Sequence, residues 1–391
     1  MVTTAADRAL YRLLVESALT AALERRYIAD QRTLSQIAVE TQRGNGHIRD
    51  LIVASGTPLR TGRTLDGNRR RQPSVRTLLR IGYLRTATSA CAAITDQEPG
   101  KPALAAALAA AGHTVIALPA DAEPPAVDRY RLTALVCELV RAHPRRASPA
   151  PDDPGSLLHH VAVHRRLPTL IWDADHQLST HHRLTRMPNV RVTAVTEQPG
   201  KLLLPYLAPD WLLDQANPRD AITVQRGRTL TLDHSAGPEP PKTVAELIAA
   251  YRNSLAVQLY PPAGQDGLGH HTGRLILAVA HGCLPLLPAG LHGAAELVPA
   301  PLRIHNHQHA DTLKMLAAIA GTELHRDLLT ACLLYLHRHR LSDYTSRVLD
   351  ALQTLANTGT ADPQTSLGAS GTDRARTTEP PTGAPATRAV R

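Results

Sequence analysis

Several residue types that mark common protein classes are absent or rare in this sequence. It has no phenylalanine, and only 3% of its 391 residues are aromatic. The core must therefore be aliphatic, and aromatic platforms that stack on single-stranded nucleic acid are not expected. The cysteines are scattered singly, at Cys91, Cys137, Cys283 and Cys332. This spacing excludes a disulfide framework and a paired-cysteine zinc site.

Long apolar runs are lacking too. No stretch approaches the ~18–20 apolar residues of a membrane helix, and the start, MVTTAADRALYRLLVE, lacks the basic-then-apolar pattern of a secretion signal. We therefore expect a cytoplasmic protein with no membrane partner. The shares of hydrophobic (43%) and charged (20%) residues are typical of a folded globular protein, and the length suffices for two or three domains.

The positive charge is concentrated near the N-terminus. Residues 1–90 hold 15 arginines and 7 acidic residues, a net charge of +8, while the whole chain carries +9. A concentrated positive field is typical of segments that bind polyanions, because each neutralised phosphate releases counterions. The alternative is a solvated arginine-rich face without a partner.

The hydrophobic pattern predicts a small all-α segment followed by an α/β region. Helical spacing of apolar residues, including Leu10, Leu13 and Leu14, favours a helix over 6–27, and shorter helices follow at 33–41 and 45–55. The later chain alternates strand-like and helix-like stretches, as in parallel α/β folds. We predict an all-α domain at 1–62, a basic linker at 63–77, a first Rossmann-like half at 78–205, a second at 206–356, and a disordered tail at 357–391.

Three helix assignments inside the α/β region follow from the same spacing. The stretch YRLTALVCELVRAH predicts a helix over 130–143. Near the end of the folded part, the pattern predicts amphipathic helices over 312–336 and 340–356.

Residues 24–60, ERRYIADQRTLSQIAVETQRGNGHIRDLIVASGTPLR, resemble the small helix-turn-helix modules of bacterial resolvases and regulators. Ser35 is expected to cap a helix that begins at Gln36, and Ala38 is small enough for two helices to cross closely. Gln42 stands where the family usually has a turn glycine. The expected shared core consists of Ile37, Ile48, Leu51 and Ile52.

This resemblance implies DNA binding. In the family the second helix enters the major groove, which makes Asn45, His47 and Arg49 the candidates for base contacts. It also implies phosphate contacts by Gln36 and Arg49. Further backbone contacts are expected from Arg60, Arg69, Arg70 and Arg71. A three-helix packing or dimerisation domain is the alternative for this segment.

Two stretches of the α/β region resemble GT-B glycosyltransferases. Residues 103–118, ALAAALAAAGHTVIAL, look like the first domain of that fold, and residues 263–298, AGQDGLGHHTGRLILAVAHGCLPLLPAGLHGAAELV, are similar to its nucleotide-sugar-binding segment. The resemblance implies two Rossmann-like halves. In such folds, loop amides and a helix N-terminus hold a diphosphate while a basic residue offsets its charge.

The GT-B resemblance implies particular ligand contacts. It places Gly267, Gly269 and Arg274 at the diphosphate, Gly282 in the Ala-x-Gly end of the helix, and Glu296 near the ribose. Leu277 stands where retaining members have a glutamate, so an active enzyme and a scaffold that only binds its ligand both remain open. We expect Leu277→Glu to restore a hydroxyl partner for the ribose.

Other groups of acidic residues and histidines favour structural roles over metal binding or catalysis. Asp173 and Asp175 end a strand, where capping is a commoner role than metal binding. The alternating His305, His307 and His309 are more typical of a polar loop than of a zinc site. We expect no metal and no required cofactor, and we assign no catalytic residue because no nucleophile motif is recognisable.

The predicted function is therefore a DNA-binding protein, a regulator, with a glycosyltransferase-like domain that binds a nucleotide sugar. One alternative is an active GT-B glycosyltransferase directed to nucleic acid. Another is a structural or interaction protein in which neither site functions. Expected partners are DNA and a nucleotide sugar. A second copy of the chain, in a homodimer, is a further candidate partner.

Overall fold

In the computed structural model, the described residues are 4–60, 78–86, 102–139, 156–173, 178, 182–194, 202–203, 208–224, 228–232, 243–259, 269–291, 294–305 and 309–359. All of these belong to one structural unit that ends at Gly359. The predicted linker at 63–77 and residues 360–391 of the predicted tail lie outside the described residues. Residues 357–359, which the prediction assigns to the disordered tail, are instead the end of the last helix.

The described chain begins with three helices and continues as alternating strands and helices, so the prediction of an all-α segment followed by mixed α/β structure is confirmed. The helices are α1 Ala5–Glu24, α2 Leu34–Thr41, α3 Asn45–Ala54, α4 Ala103–Ala110, α5 Ala126–Arg129, α6 Leu157–His159, α7 Asp210–Gln215, α8 Pro218–Thr223, α9 Val244–Arg252, α10 Gly269–Ala280, α11 Ala294–Leu297, α12 His309–Ile319, α13 Glu323–His337 and α14 Leu341–Gly359. Arg25–Ala29 and His160–His164 are π-helical, and Arg183–Arg186 and Ala300–Leu302 are 3₁₀ turns.

The strands form two sheets, and every described strand pairing is parallel. The first sheet has the order β2-β1-β3-β4-β5-β6, and the second has the order β10-β9-β8-β7. The strands are β1 Arg80–Arg85, β2 Thr114–Leu118, β3 Ala134–Leu139, β4 Thr169–Asp173, β5 Val190–Ala194, β6 Leu202–Leu203, β7 Arg228–Leu232, β8 Ser254–Leu259, β9 Leu284–Pro288 and β10 Arg303–Ile304.

The predicted helix over 130–143 is wrong, because β3 occupies that stretch. Leu132, Leu135, Val136 and Leu139 follow the spacing of one helical face, but every residue of β3 is buried. A strand covered on both faces also reads as an unbroken apolar run, so periodicity alone does not separate the two structures. The predicted helix over 312–336 is interrupted at Gly321, whose positive φ of 74° ends α12 before α13 begins.

The last helix returns to the first sheet. Leu341, Val348 and Leu352 of α14 share a buried cluster with Ile81 of β1 and Leu108 of α4. The sequence assigns this helix to the second half, yet its apolar face packs on the first. The two sheets are therefore joined by a helix as well as by the chain between them.

The N-terminal helices are not a separate module. Tyr11 and Val15 of α1 lie in the same buried cluster as the second sheet. The predicted core residues Ile37, Ile48 and Ile52 are buried, with Leu51 packed against them, and Ala331 and Leu334 of α13 complete their cluster. The segment thus shares its core with the α/β body.

Two local details of the N-terminal helices differ from the sequence prediction. Helix α2 begins at Leu34 rather than Gln36, and its cap is Thr33 rather than Ser35, because Thr33 forms a reciprocal capping box with Gln36. Gln42 at the turn adopts a positive φ of 51°, the conformation that glycine takes without strain. Its side chain donates a 2.9 Å hydrogen bond to the Ala216 carbonyl, which ties this turn to the α/β body.

Candidate ligand sites at the carboxyl edges of the sheets

The strand order of the first sheet reverses at β1, which pairs with β2 on one side and β3 on the other. In open α/β sheets, ligand crevices form outside the carboxyl ends of the strands at such a reversal. Here β1 and β3 bring together Tyr83, Arg85 and Glu138. The Glu138 carboxylate accepts hydrogen bonds from the Tyr83 hydroxyl at 2.8 Å and from Arg85 Nε at 2.9 Å.

This cluster is buried and balanced in charge. Glu138 and Tyr83 are 7% and 1% exposed. A buried carboxylate is tolerated only when it is paired and hydrogen-bonded, and Arg85 with Tyr83 meets that requirement. The apolar spacing predicts a helix for the segment that contains Glu138, and a helix there gives Glu138 no relation to β1. The sequence therefore does not identify Glu138 as a site residue.

The neighbouring groups in the first sheet have structural roles. Burial raises the pKa of the Cys137 thiol well above its usual range, and the charges of Glu138 and Asp173 raise it further, so this cysteine stays protonated and is no nucleophile. The Asp173 carboxylate accepts a 2.8 Å hydrogen bond from the backbone N–H of Leu178. It therefore holds the loop after β4, while Asp175 lies outside the described residues.

The second sheet presents helix α10 at its carboxyl edge. The chain leaves β8 at Leu259 and enters α10 at Gly269, so the helix N-terminus and the strand end lie on the same side of the sheet. Arg274, in the second turn, is only 6% exposed. Gln258 near the end of β8 contacts the His309 ring at the start of α12. Arg274, Gln258 and His309 thus belong to three elements that border this edge.

The residues implied by the GT-B resemblance fall into three groups. Gly269 and Arg274 lie in the first half of α10, and Gly267 lies outside the described residues. Gly282 follows the other end of α10, where its positive φ of 78° closes the helix, about 18 Å from Gly269 along a 12-residue helix. Gly282 therefore does not share a site with Gly269. Leu277 is 1% exposed and lies in the apolar core.

Glu296 of α11 is held by the N-terminal segment. Its carboxylate pairs with Arg25 at 3.2 Å and with Arg338 at 3.5 Å. Because α11 follows β9, Glu296 lies on the carboxyl side of the second sheet. Its carboxylate is nevertheless engaged in ion pairs.

These pairs belong to a chain of alternating charges that joins the N-terminal helices to the body. From Arg338 the chain continues through Asp30 to the buried Arg26 and on to Glu40. Arg32 then links Glu40 to Asp343 of α14. The full order is Arg25, Glu296, Arg338, Asp30, Arg26, Glu40, Arg32 and Asp343.

Two histidines are buried beside this chain. Burial lowers the pKa of His337 to about 3, and the charges of Arg340 and Arg26 lower it further. Burial likewise lowers the pKa of His339 to about 4, although a hydrogen bond with the Glu296 carbonyl opposes the shift. Both histidines are neutral at neutral pH, so they add no charge to the crowded arginines around them.

The residues implied for DNA binding are dispersed in role. Asn45, His47 and Arg49 are exposed on α3, as predicted. Asn45 donates a 3.3 Å hydrogen bond to the Ser35 hydroxyl, and His47 lies 2.6 Å from the Arg43 guanidinium. Arg43 in turn pairs with Asp327 of α13.

The other implied phosphate contacts are engaged internally or are not described. The Gln36 side chain accepts a 2.8 Å hydrogen bond from the Thr33 backbone N–H. The Arg60 guanidinium stacks over the Tyr27 ring at 4.0 Å and donates a hydrogen bond to the Tyr27 carbonyl at 2.6 Å. The three consecutive arginines, Arg69, Arg70 and Arg71, lie outside the described residues.

Metal sites and membrane-spanning helices are two further features to consider in the described residues. No group of three or more histidine, cysteine or acidic side chains is arranged to hold a metal ion in the described part of the chain. None of the helices in the described ranges is both long enough and apolar enough to cross a bilayer.

The similarity of this chain to known proteins is weak in both sequence and structure. No family model matches the sequence, and no curated protein is similar to it at a significant level. Among solved structures, the glycosyltransferase SnogD from Streptomyces nogalater is similar at 15% sequence identity and a TM-score of 0.34, over 70% of this chain and 99% of that chain. A likeness of this size assigns no residue a role, and the candidate sites rest on the contacts described above.

Proposed function

We propose that this protein binds a nucleoside diphosphate, as part of a nucleotide sugar, at the carboxyl edge of its second sheet. The carrying observation is Arg274, a buried arginine in the second turn of the 12-residue helix that is the next described element after β8. Helix N-termini favour anions through their backbone N–H groups and dipole. A guanidinium close to that terminus adds a charge-assisted partner for phosphate oxygens.

The polar neighbours support the same ligand class. Gln258 and His309 lie at the same sheet edge as the start of α10 and supply hydrogen-bonding groups. The connection between β8 and α10 contains Gly264, Gly267 and, at the helix start, Gly269. Residues without a side chain let a backbone approach a diphosphate closely.

Ligand binding is tested with the full chain and two measurements. A nucleotide sugar such as UDP-glucose or dTDP-glucose should raise the thermal midpoint, because a ligand that binds only the folded state stabilises it by mass action. The same mixtures, analysed for released nucleoside diphosphate and for sugar-modified acceptor, separate a binding protein from an active transferase. We expect binding without turnover, since Leu277 replaces the acid that the resemblance calls for. Sugar transfer would favour the enzyme alternative.

A second function, binding to duplex DNA, is supported by the exposed face of α3. Asn45, His47 and Arg49 project from a helix whose N-cap, Gly44, provides no side-chain hydrogen bond. Free N–H groups at that end favour a phosphate oxygen. The ion pairs of Arg26, Arg32 and Arg43 leave less charge for DNA than the segment's net charge indicates.

The DNA test uses the full chain, because the N-terminal helices share their core with α13. Log affinity should fall with log salt at a slope of about −0.9 per phosphate contacted. Replacing Arg69, Arg70 and Arg71 with alanine should flatten that slope by about 2–3 units. Asn45→Ala should lower preference for one sequence while preserving non-specific binding. Absence of binding at low salt would refute this second function.

A further inference from the structure

Helix α1 carries large apolar side chains on two opposite faces. One face, which includes Tyr11, Val15 and Leu23, is buried against the body. Leu10, Leu13 and Leu14 belong to the same helical spacing of apolar residues that predicts the helix, but the structure leaves them 60%, 62% and 46% exposed. A helix that needed only one apolar face for folding would carry polar residues on the other.

The exposed face is a stripe of leucines and small residues. At 3.6 residues per turn, its members fall within roughly 100° of one another and extend along most of α1, a 20-residue helix about 30 Å long. The stripe consists of Ala6, Leu10, Leu13, Leu14, Ser17 and Ala21, all of them exposed. Ser17 is its one polar member. A patch of neighbouring exposed leucines of this kind marks an interaction site.

The order of side chains along the stripe identifies the partner. The three leucines lie in the N-terminal half, and the small residues Ser17 and Ala21 lie in the C-terminal half. An antiparallel copy of the same helix sets leucines against these small residues along the contact. Large residues then fill the space that small residues leave, which is the requirement for close helix packing.

We propose that α1 mediates a two-fold symmetric homodimer in which the stripes of two copies pack antiparallel. Placing Leu14 opposite Ser17 of the second copy also places Leu10 opposite Ala21. Asp7 and Arg25 flank the stripe on one side at opposite ends of the helical segment. Antiparallel packing brings Asp7 of each copy beside Arg25 of the other, whereas parallel packing separates them by the length of the helix. An isologous contact of this type closes at two subunits.

The first experiment measures the mass of the full chain in solution by sedimentation velocity across concentration. The wild type should reach the mass of two chains, and Leu13→Glu should raise the dissociation constant about 100-fold or more, because symmetry applies the change twice. Val39→Glu is the matched control, since Val39 on α2 is 77% exposed and outside the stripe. It should leave the mass unchanged, and both variants should keep the thermal midpoint of a folded chain.

A cross-linking experiment tests the direction of packing. L10C and A21C are made separately in a C91S background, mixed in equal amounts and oxidised in air, with an affinity tag on one variant. Antiparallel packing should yield mainly the disulfide between the two different variants. Same-variant disulfides alone would overturn the antiparallel arrangement. A wild-type chain that stays at the mass of one subunit up to hundreds of micromolar, or L13E with unchanged mass, would overturn the dimer.

Discussion

The N-terminal helices and the region beside the second sheet both contain buried arginines, and these arginines lie in different surroundings. In the helices, Arg26, Arg32 and Arg43 pair with acidic side chains. In the second sheet, Arg274 lies buried near the start of a helix at the sheet edge where α/β folds bind ligands. The difference shows that the net charge of a segment does not reveal where that charge is used.

The counter-charges come from distant parts of the chain. Arg25, Arg32 and Arg43 find their partners in Glu296, Asp343 and Asp327, which are 271, 311 and 284 residues away. A count over residues 1–90 includes the arginines and omits these acids. The concentrated charge therefore serves, at least in part, to attach the N-terminal helices to the body.

The largest loss of stability is expected for Leu277→Glu in α10. Leu277 is 1% exposed, so the new carboxylate would be buried without a described partner. We expect the free energy of unfolding to fall by about 5 kcal/mol, with no gain in nucleotide affinity. Chemical denaturation measures the loss, and Leu277→Met should cost less than about 1.5 kcal/mol. A stable L277E variant that binds the ligand more tightly would contradict this prediction and would support a ribose contact at position 277.

Arg26→Ala tests whether the arginines of the helices are structural. Arg26 is 1% exposed and pairs with Glu40 and with Asp30, so its removal leaves the buried Glu40 carboxylate with only Arg32, at 3.9 Å. We expect a loss of about 3–4 kcal/mol in unfolding free energy. Arg12→Ala, which breaks an exposed pair with Glu16, should cost less than about 1 kcal/mol. Equal losses in the two variants would show that burial of the Arg26 pair is unimportant.

Acid should weaken the attachment of the helices through His337 and His339. Their folded-state pKa values, about 3 and about 4, lie below the ordinary value of 6.5, so the unfolded chain binds more protons between these limits. Stability should therefore fall as pH drops below 6.5, by on the order of 3 kcal/mol at pH 5.

Denaturation at pH 7, 6 and 5 measures this slope. Replacing His337 and His339 with glutamine should flatten it, while His47→Gln, at an exposed position of α3, should not. Identical stability at pH 7 and pH 5 in the wild type would contradict the neutral burial of the two histidines.

Much of the fold follows from local patterns. Strands β1, β2, β4 and β5 each lie in a strand-like apolar run, and they confirm the predicted alternation of strands and helices. Strand β3 escaped prediction because its apolar spacing fits a helix equally well. Because β3 is not recognised in the sequence, Glu138 is not recognised as a site residue either. Its partners Tyr83 and Arg85 lie more than 50 residues away in the chain.

The exposed stripe of α1 shows another limit of local patterns. Leu10 and Leu19 have the same hydrophobic character, and only the packing of α1 on the body decides that Leu19 is buried and Leu10 is exposed. Helical spacing identifies the apolar positions but does not state how many partners the helix has.

The central claim is that α10 binds a nucleoside diphosphate through Arg274, and titration calorimetry of the full chain with uridine diphosphate and thymidine diphosphate tests it most directly. We expect the wild type to bind at least one of them. Arg274→Ala should weaken that binding about 10-fold to 100-fold, because a charge-assisted hydrogen bond is lost. Arg274→Lys should fall between the two, and Arg12→Ala should match the wild type. Absence of binding at millimolar ligand, or equal affinity of the wild type and Arg274→Ala, would contradict the account.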